Sequence, residues 1–277
     1  DWSLVLWAMH IAHRIQQTEK GSVVCVSQAD MEAAREQIRL FEAENSACAL
    51  GEERAQGSAE SVFWVLLGLA VWYTISKQQV TALGLDILPW LEMGRVDSRV
   101  MLDQGQWWRC LTSLTLHSDP EHLLSNLIFG GLFMHLLCRE LGGGLAWLLP
   151  LLTAGVAYAC NVLVQGPGHL AIGASTAVFA ALGLLIAGHK GQRSRRVGVI
   201  APLGAGLALL AWLGSGGERT DVGAHVFGFG VGLIGGTLLM RFQTMMSERG
   251  SALSHNIYGL SAFGMILGAW MLALASR

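Results

Sequence analysis

The sequence predicts an all-α polytopic membrane protein, and three observations support this. Of the 277 residues, 52% are hydrophobic and only 14% are charged, whereas soluble domains carry roughly a quarter charged residues. No Asp, Glu, Lys or Arg occurs between Leu141 and His189, a stretch too long to be one soluble core element. Apolar runs also recur with lengths close to the roughly 20 residues that a helix needs to cross a bilayer.

Seven such apolar runs begin near Ser61, and each is predicted to be a transmembrane helix. Several contain Gly and polar residues, which are compatible with lipid because a helix satisfies its own backbone hydrogen bonds. The predicted spans cover 60–76, 121–138, 145–165, 174–189, 197–214, 221–240 and 256–275.

The first 57 residues have the composition of a soluble protein and predict a small cytosolic α/β domain. A mere anchor for the membrane part is an equally good reading of this region. The domain is predicted to contain a helix at Leu4–Ile15, a strand at Ser22–Val26, an amphipathic helix at Ala29–Asn45 and a linker at 51–59. The membrane domain then covers 58–277, with a core at 60–240 and an additional helix at 256–275.

The segment 77–120 separates the first two spans and carries Trp90, Trp107 and Trp108 among charged residues. Because tryptophan favours the membrane–water interface, the sequence predicts a loop lying in the headgroup region. A loop without membrane contact explains three tryptophans less well.

Lys and Arg are concentrated in the loops on one side of the predicted bundle, at 139–144, 189–196 and 241–254. Loops rich in these residues stay in the cytoplasm, so the N-terminal domain is predicted to be cytoplasmic. The starts of the fourth and sixth spans then lie together on the outer side. The compact loops favour a bacterial inner membrane.

Several functions are disfavoured by composition. The net charge of −2 and the lack of a basic patch give no indication of nucleic-acid binding. The five cysteines are scattered without CxxC or zinc spacing and are interpreted as small apolar fillers. The sequence therefore predicts neither a metal site nor a cofactor.

Polar residues inside predicted membrane helices are costly and indicate function. His122 and Asn126 are four residues apart and share a face of the second span. Ser175 and His225 lie near the outer ends of the fourth and sixth spans. A serine becomes a nucleophile when an adjacent base takes its proton, and His225 suits that role.

An acyl intermediate also needs hydrogen-bond donors for its oxyanion. Asn126, His122 and the backbone N–H of Ser175 are suited to this. Asp and Glu occur in the predicted spans only at their first residues, which favours a Ser–His dyad over a triad. Asp221 precedes His225 by one turn, and a helix N-cap explains it better than catalysis.

Each of these residues also has a structural interpretation. A serine in a glycine-rich membrane helix usually packs or bonds to the preceding turn. His122, Asn126 and His225 would suit a conduction path or bonds between helices. Gly228 and Gly232 form a close-packing surface compatible with any membrane bundle.

In combination, the residues resemble those of the rhomboid family over about 180 residues. Five ordered elements carry the resemblance: Trp108-Arg109-Cys110-Leu111-Thr112 with His117; His122-Leu123-Leu124-Ser125-Asn126; Gly173-Ala174-Ser175; the aromatic Phe179 one turn later; and Ala224-His225-Val226-Phe227-Gly228-Phe229-Gly230-Val231-Gly232.

The resemblance implies an intramembrane serine endopeptidase with a six-helix core, to which the seventh span is added. It implies Ser175 as nucleophile, His225 as general base and acid, and Asn126, His122 and the Ser175 amide as oxyanion donors. Phe179 would pack against the His225 ring. Substrates would be single-span membrane proteins, cut near small residues at the outer end of their helix and reached within membrane lipid.

One residue departs from the family pattern: Thr176 follows the serine, where Gly is frequent, and a β-branched residue there could tighten the space beside the dyad.

Two other functions compete with proteolysis. A catalytically inactive rhomboid-like protein would bind membrane helices, but inactive relatives typically lack the serine or the histidine, and this chain has both. A transporter would show internal repeats and polar residues near the midplane, and neither pattern is present.

Overall fold

The fold was analysed in a computed structural model, which describes residues 2–18, 21–77, 89–188, 221–245 and 252–276, together with Gly204. The chain divides into two compact units, Asp1–Arg54 and Ala55–Arg277. The predicted span 197–214 and the basic loop 189–196 lie outside the described residues, apart from Gly204.

The first unit begins with helix α1, Trp2–Ala8, followed by the antiparallel strands β1, His13–Thr18, and β2, Gly21–Val26. The strand predicted at Ser22–Val26 is therefore present, but the helix predicted over Leu4–Ile15 is wrong beyond Ala8. The helix ends because His10 takes a left-handed conformation with φ of 57°.

The hydrogen bonds of this turn confirm the helix end. The His10 N–H bonds to the Trp7 carbonyl at 3.1 Å, and the Ile11 N–H bonds to the Leu6 carbonyl at 2.8 Å. This pair of bonds is the Schellman ending of an α-helix. The chain that leaves it is extended and pairs as β1, which the apolar pattern did not predict.

Helix α2 runs from Met31 to Lys77 without interruption. It contains all but the first two residues of the predicted amphipathic helix, and also the predicted first span at 60–76. Segment 51–59, whose small and charged residues predicted a linker, lies within it as well. The segment is thus helical, and the boundary between the two compact units falls within this helix. Small and charged residues such as Ala, Glu and Arg are good helix formers, which explains the continuity.

Between α2 and the next long helix, the described part of the segment 77–120 folds into short elements. They are α3, Trp90–Gly94; β3, Val96–Asp97; α4, Ser98–Gln104; α5, Arg109–Thr112; and a 3-10 helix, Ser113–Thr115. Asp97 caps α4 by accepting from the Arg99 and Val100 N–H groups. The described part of this segment is therefore an ordered structure rather than an extended loop.

The remaining described helices form the bundle. They are α6, Pro120–Leu141; α7, Gly143–Gln165; α8, Ser175–Gly188; α9, Val222–Met245; and α10, Ala252–Ala275, with strand β4, Leu170–Ala171, before α8. Among the described residues, four helices are long and apolar enough to cross a membrane, namely those at Pro120–Leu141, Gly143–Gln165, Val222–Arg241 and Asn256–Ala275, while Ser175–Gly188 is a shorter apolar helix.

Three tryptophans join the C-terminal helix to the segment before α6. The rings of Trp72, Trp90 and Trp270 pack edge to face, with centroids 5.0 to 5.5 Å apart. The indole N–H of Trp270 also donates to Oγ1 of Thr115 at 3.2 Å. Edge-to-face aromatic packing is favourable beyond the area it buries, so helix α10 is firmly packed against this part of the membrane unit.

Candidate active site

Ser175 is the first residue of α8 and follows a turn that only glycine adopts readily. Gly173 has φ of +127°, and its N–H bonds to the Ser113 carbonyl at 3.0 Å. The Tyr158 hydroxyl donates to the Gly173 carbonyl at 3.1 Å. The backbone of the turn that presents Ser175 is therefore held by two hydrogen bonds, one from a side chain and one to a backbone carbonyl.

His225 lies in the first turn of α9, which begins beside Asp221. A carboxylate oxygen of Asp221 accepts the Ala224 N–H at 3.0 Å, and the Asp221 carbonyl accepts the His225 N–H at 3.2 Å. The Asp221 carboxylate thus satisfies a backbone donor that a helix start leaves unpaired. This anchors the histidine, which is only 6% exposed.

The structure brings Ser175 and His225 together from these two helices. The Ser175 Oγ and His225 Nε2 atoms are 2.7 Å apart, within hydrogen-bond distance. The Phe179 ring lies against the imidazole, with centroids 4.6 Å apart and an interplanar angle of 31°. Phe179 therefore restricts how the imidazole can rotate away from the hydroxyl.

His122 and Asn126 both lie on α6, and the His122 ring lies beside the turn that presents Ser175. A Cβ atom added at Gly173 would be 2.5 Å from His122 Nε2 and 3.6 Å from Ser175 Oγ, so the imidazole edge passes directly over this glycine. Asn126 is 6% exposed, and its buried Nδ2 has no hydrogen-bond partner among the described residues. Gly173 is thus needed for its conformation and for the close approach of His122.

Trp108 and Arg109 lie at the start of α5 and organise the segment before α6. The guanidinium of Arg109 donates to the carbonyls of Glu92 and Arg95 at 2.8 and 2.9 Å and to Gln106 at 2.8 Å. Burial lowers the pKa of Arg109, and Asp97 opposes this effect. Trp108 packs beside the tryptophan cluster. Both residues therefore have structural contacts here.

Gly228 and Gly232 on α9 meet the backbone of α8. A Cβ at Gly228 would lie 2.5 Å from the Thr176 carbonyl oxygen, and one at Gly232 would lie 2.2 Å from the Ala180 carbonyl oxygen. The Thr176 methyl group is 3.3 Å from the same point at Gly228. Thr176 is fully buried, and the missing side chain of Gly228 gives it room.

A second polar cluster, which sequence reasoning missed, links the loop before Ser175 to α9. Asp221 accepts from the Asn161 amide at 2.8 Å and is 2.7 Å from the His169 Nε2 atom. Burial raises the pKa of the Asp221 carboxyl, but the hydrogen bonds from His169 and Ala224 together with the nearby histidines outweigh it, so the pKa lies below its ordinary value. His169 also exchanges two hydrogen bonds with Ser98.

These contacts join residues from three parts of the chain. The only sequence signal was the position of Asp221 as an N-cap, since neither His169 nor Asn161 occurs in a motif. The cluster fixes the α9 start relative to the loop that leads to Ser175.

The apolar helices of membrane-spanning length indicate an integral membrane protein, and the partly buried contact between Ser175 and His225 gives it a candidate nucleophile. The Rhomboid domain family model matches residues 104–242, just over half of the chain. The chain therefore belongs to the rhomboid family. A search of curated proteins found no match.

His117 is a buried histidine that contacts neither Ser175 nor His225 among the hydrogen bonds and ring contacts described above. It is 1% exposed, and neither ring nitrogen has a hydrogen-bond partner among the described residues. Its ring lies 5.3 Å from that of His122. The pKa of His117 is lowered to about 3, mainly by burial and in addition by the neighbouring His122, whereas Asp119 opposes both effects.

This lowered pKa predicts acid sensitivity. The unfolded chain protonates His117 below its ordinary pKa of about 6.5, whereas the folded chain keeps it neutral. Stability should therefore fall as the pH drops from about 6.5 towards 3, by on the order of a few kcal/mol. His117→Phe should reduce this loss between pH 6.5 and 5 when thermal unfolding is compared with wild type. Equal losses in the two proteins would contradict the prediction.

Proposed function

We propose that the chain is an intramembrane serine endopeptidase that cuts single-span membrane proteins near the outer end of their helices. The observation that carries the proposal is the 2.7 Å contact between Ser175 Oγ and His225 Nε2. A hydroxyl at this distance from an imidazole nitrogen has a base positioned to accept its proton. Membership of the rhomboid family supports the same reaction.

The first half of the reaction forms an acyl-enzyme. Oγ of Ser175 attacks the carbonyl carbon of the scissile peptide bond while its proton moves to Nε2 of His225. For Nε2 to accept, the neutral ring carries its own proton on Nδ1. The carbonyl oxygen becomes an oxyanion, and His225 then gives the proton to the leaving nitrogen as the carbon–nitrogen bond breaks.

The second half reverses the roles. His225 takes a proton from water as the water oxygen bonds to the acyl carbon. The bond from that carbon to Oγ breaks, and the proton returns to Ser175. No carboxylate contacts the His225 Nδ1 atom in the described residues, so this is the chemistry of a dyad.

The oxyanion would be stabilised by Asn126, His122 and the Ser175 backbone N–H. The unpartnered Nδ2 of Asn126 supports this role, because a buried donor without a partner costs free energy until a ligand satisfies it. Donors fixed before the reaction stabilise developing charge without reorganisation. Gly173 contributes by leaving room for the His122 ring.

The substrate helix must open before it can be cut, because intact helical hydrogen bonds and side chains cover the peptide bond. Small and helix-breaking residues lower that cost. The protein would lie in a bacterial inner membrane with its N-terminus in the cytoplasm and its active site open to the outer side. This orientation rests on the Lys and Arg distribution.

Covalent labelling tests whether Ser175 is an activated nucleophile. A fluorophosphonate probe should label the wild-type protein and also the control variant Ser261→Ala. Ser261 lies on α10, and its hydroxyl donates to the Ile257 carbonyl. The probe should not label Ser175→Ala. A wild type that resists labelling would indicate a non-catalytic protein that binds membrane helices, and equal labelling of Ser175→Ala would exclude Ser175 as the nucleophile.

A further inference from the structure

Ser118 and Asp119, in the turn before α6, form hydrogen bonds that converge on His122. The Ser118 hydroxyl is 2.6 Å from Oδ2 of Asp119 and 3.1 Å from Nδ1 of His122. The other carboxylate oxygen of Asp119 accepts the His122 backbone N–H at 2.8 Å. One carboxylate therefore holds both the ring, through a hydroxyl, and the backbone of His122.

The single proton of the Ser118 hydroxyl decides the direction of these bonds. A contact of 2.6 Å between a hydroxyl and a carboxylate is a charge-assisted hydrogen bond in which the hydroxyl donates. Ser118 must then accept from the ring, so Nδ1 of His122 carries a proton. The relay runs from the His122 ring through Ser118 to the Asp119 carboxylate.

The opposite edge of the His122 ring faces the candidate active site. Both Cε1 and Nε2 come within 2.5 Å of the position where a Cβ at Gly173 would stand, and Ser175 Oγ is 3.6 Å from that position. The Ser118 contact at Nδ1 therefore fixes which edge of the ring faces the serine.

We propose that Ser118 and Asp119 are positioning residues that orient His122 for its contact with the substrate carbonyl oxygen. The inference rests on the proposed function. Nε2 donates to an oxyanion only when it also carries a proton, and the ring is then positively charged. The Asp119 carboxylate, relayed through one hydroxyl, offsets that charge as the oxyanion forms.

The charged and titratable neighbours of the relay are consistent with this role. Lys77, at the end of α2, donates to the Ser118 carbonyl at 2.9 Å and supports the turn from outside. The His117 ring is neutral at ordinary pH and brings no charge against His122. His225, on the other side of the serine, is neutral when it acts as base.

The test compares steady-state cleavage of a single-span reporter by the full-length protein in liposomes, with active sites counted by fluorophosphonate labelling. Ser118→Ala should lower kcat per active site about tenfold or more, with KM unchanged, because the His122 ring loses its hydrogen bond to the relay. Ser118→Thr, which keeps the hydroxyl, should restore most of the rate. Asp119→Asn keeps an acceptor for the His122 N–H and should show an intermediate loss.

Ser125→Ala is the matched control, because its hydroxyl bonds to the His122 carbonyl at 3.0 Å rather than to the ring. It should leave kcat within about twofold of wild type, since an exchangeable bond to a carbonyl contributes little.

The decisive comparison repeats Ser118→Ala in a His122→Ala background. The relay acts only through the ring, so the second substitution should lower kcat no further. An equal loss in both backgrounds, or a wild-type kcat in Ser118→Ala, would overturn the inference. Failure of the proposed function is a different result, since the wild type itself would then not cleave the reporter.

Discussion

His225→Ala is expected to lower kcat/KM for a single-span reporter by about four orders of magnitude, and Ser175→Ala is expected to do the same. Without the imidazole, nothing among the described contacts of Ser175 takes its proton as the Oγ–carbon bond forms. Without the hydroxyl, the acyl-enzyme cannot form. Each loss removes the nucleophilic pathway as a whole.

The Ser175→Ala/His225→Ala double variant should therefore be no slower than either single variant. Residues that act as one unit are strongly non-additive in their effects on the rate. Initial rates of reporter cleavage in liposomes measure all four proteins, and thermal unfolding checks that each variant is folded. Losses that multiply in the double variant would mean that the two residues act independently, contrary to the dyad.

Gly232→Ala is expected to destabilise the protein by about 3 kcal/mol or more, the upper part of the range for overpacked sites. The added Cβ would lie 2.2 Å from the Ala180 carbonyl oxygen and 2.8 Å from its Cα atom. Both of these Ala180 atoms belong to the backbone, so no side-chain rotation can relieve the clash. Helices α8 and α9 must instead move apart. Because Ser175 lies on α8 and His225 on α9, the distance between Ser175 Oγ and His225 Nε2 should increase as well.

Gly230→Ala is the matched control on the same helix, two residues away. A Cβ at Gly230 would meet nothing within 4 Å. Gly230→Ala should therefore keep the wild-type unfolding temperature and cleavage rate, whereas both quantities should be lower in Gly232→Ala. Equal stability of the two variants would show that the close contact of α8 with α9 is not required for folding.

The sequence predicted the parts of the site that depend on local pattern. His122 and Asn126 share a helix face because they are four residues apart, and the predicted spans placed Ser175 and His225 near helix ends on the same side. Gly228 and Gly232 were predicted to form a close-packing surface. These features follow from single segments and need no knowledge of the folded contacts.

Contacts between distant segments could not be predicted in this way. The His169–Asp221 pair joins residues 52 positions apart, and Trp270 bonds to Thr115 across 155 positions. Neither pair has a periodicity or a motif. The sequence of helix α10 indicated no functional residue, yet the Trp270 indole on this helix packs against the segment that leads to His117.

Local sequence also misled in two places. The apolar residues of Leu4–Ile15 suggested one helix, but the left-handed His10 ends it, and a strand follows. Segment 51–59 has the composition of a linker and the helix propensity of Ala, Glu and Arg, and propensity decides its structure. Composition alone does not separate a helical connection from an irregular one.

Cleavage of a reconstituted single-span reporter by Ser175→Ala, beside wild type, tests the central claim most directly. Product termini identified by mass give both the rate and the position of the cut. We expect wild type to cut within the outer part of the reporter helix and Ser175→Ala to produce no product above background while retaining the wild-type unfolding temperature. Cleavage at the same position by folded Ser175→Ala would contradict the assignment of Ser175 as nucleophile.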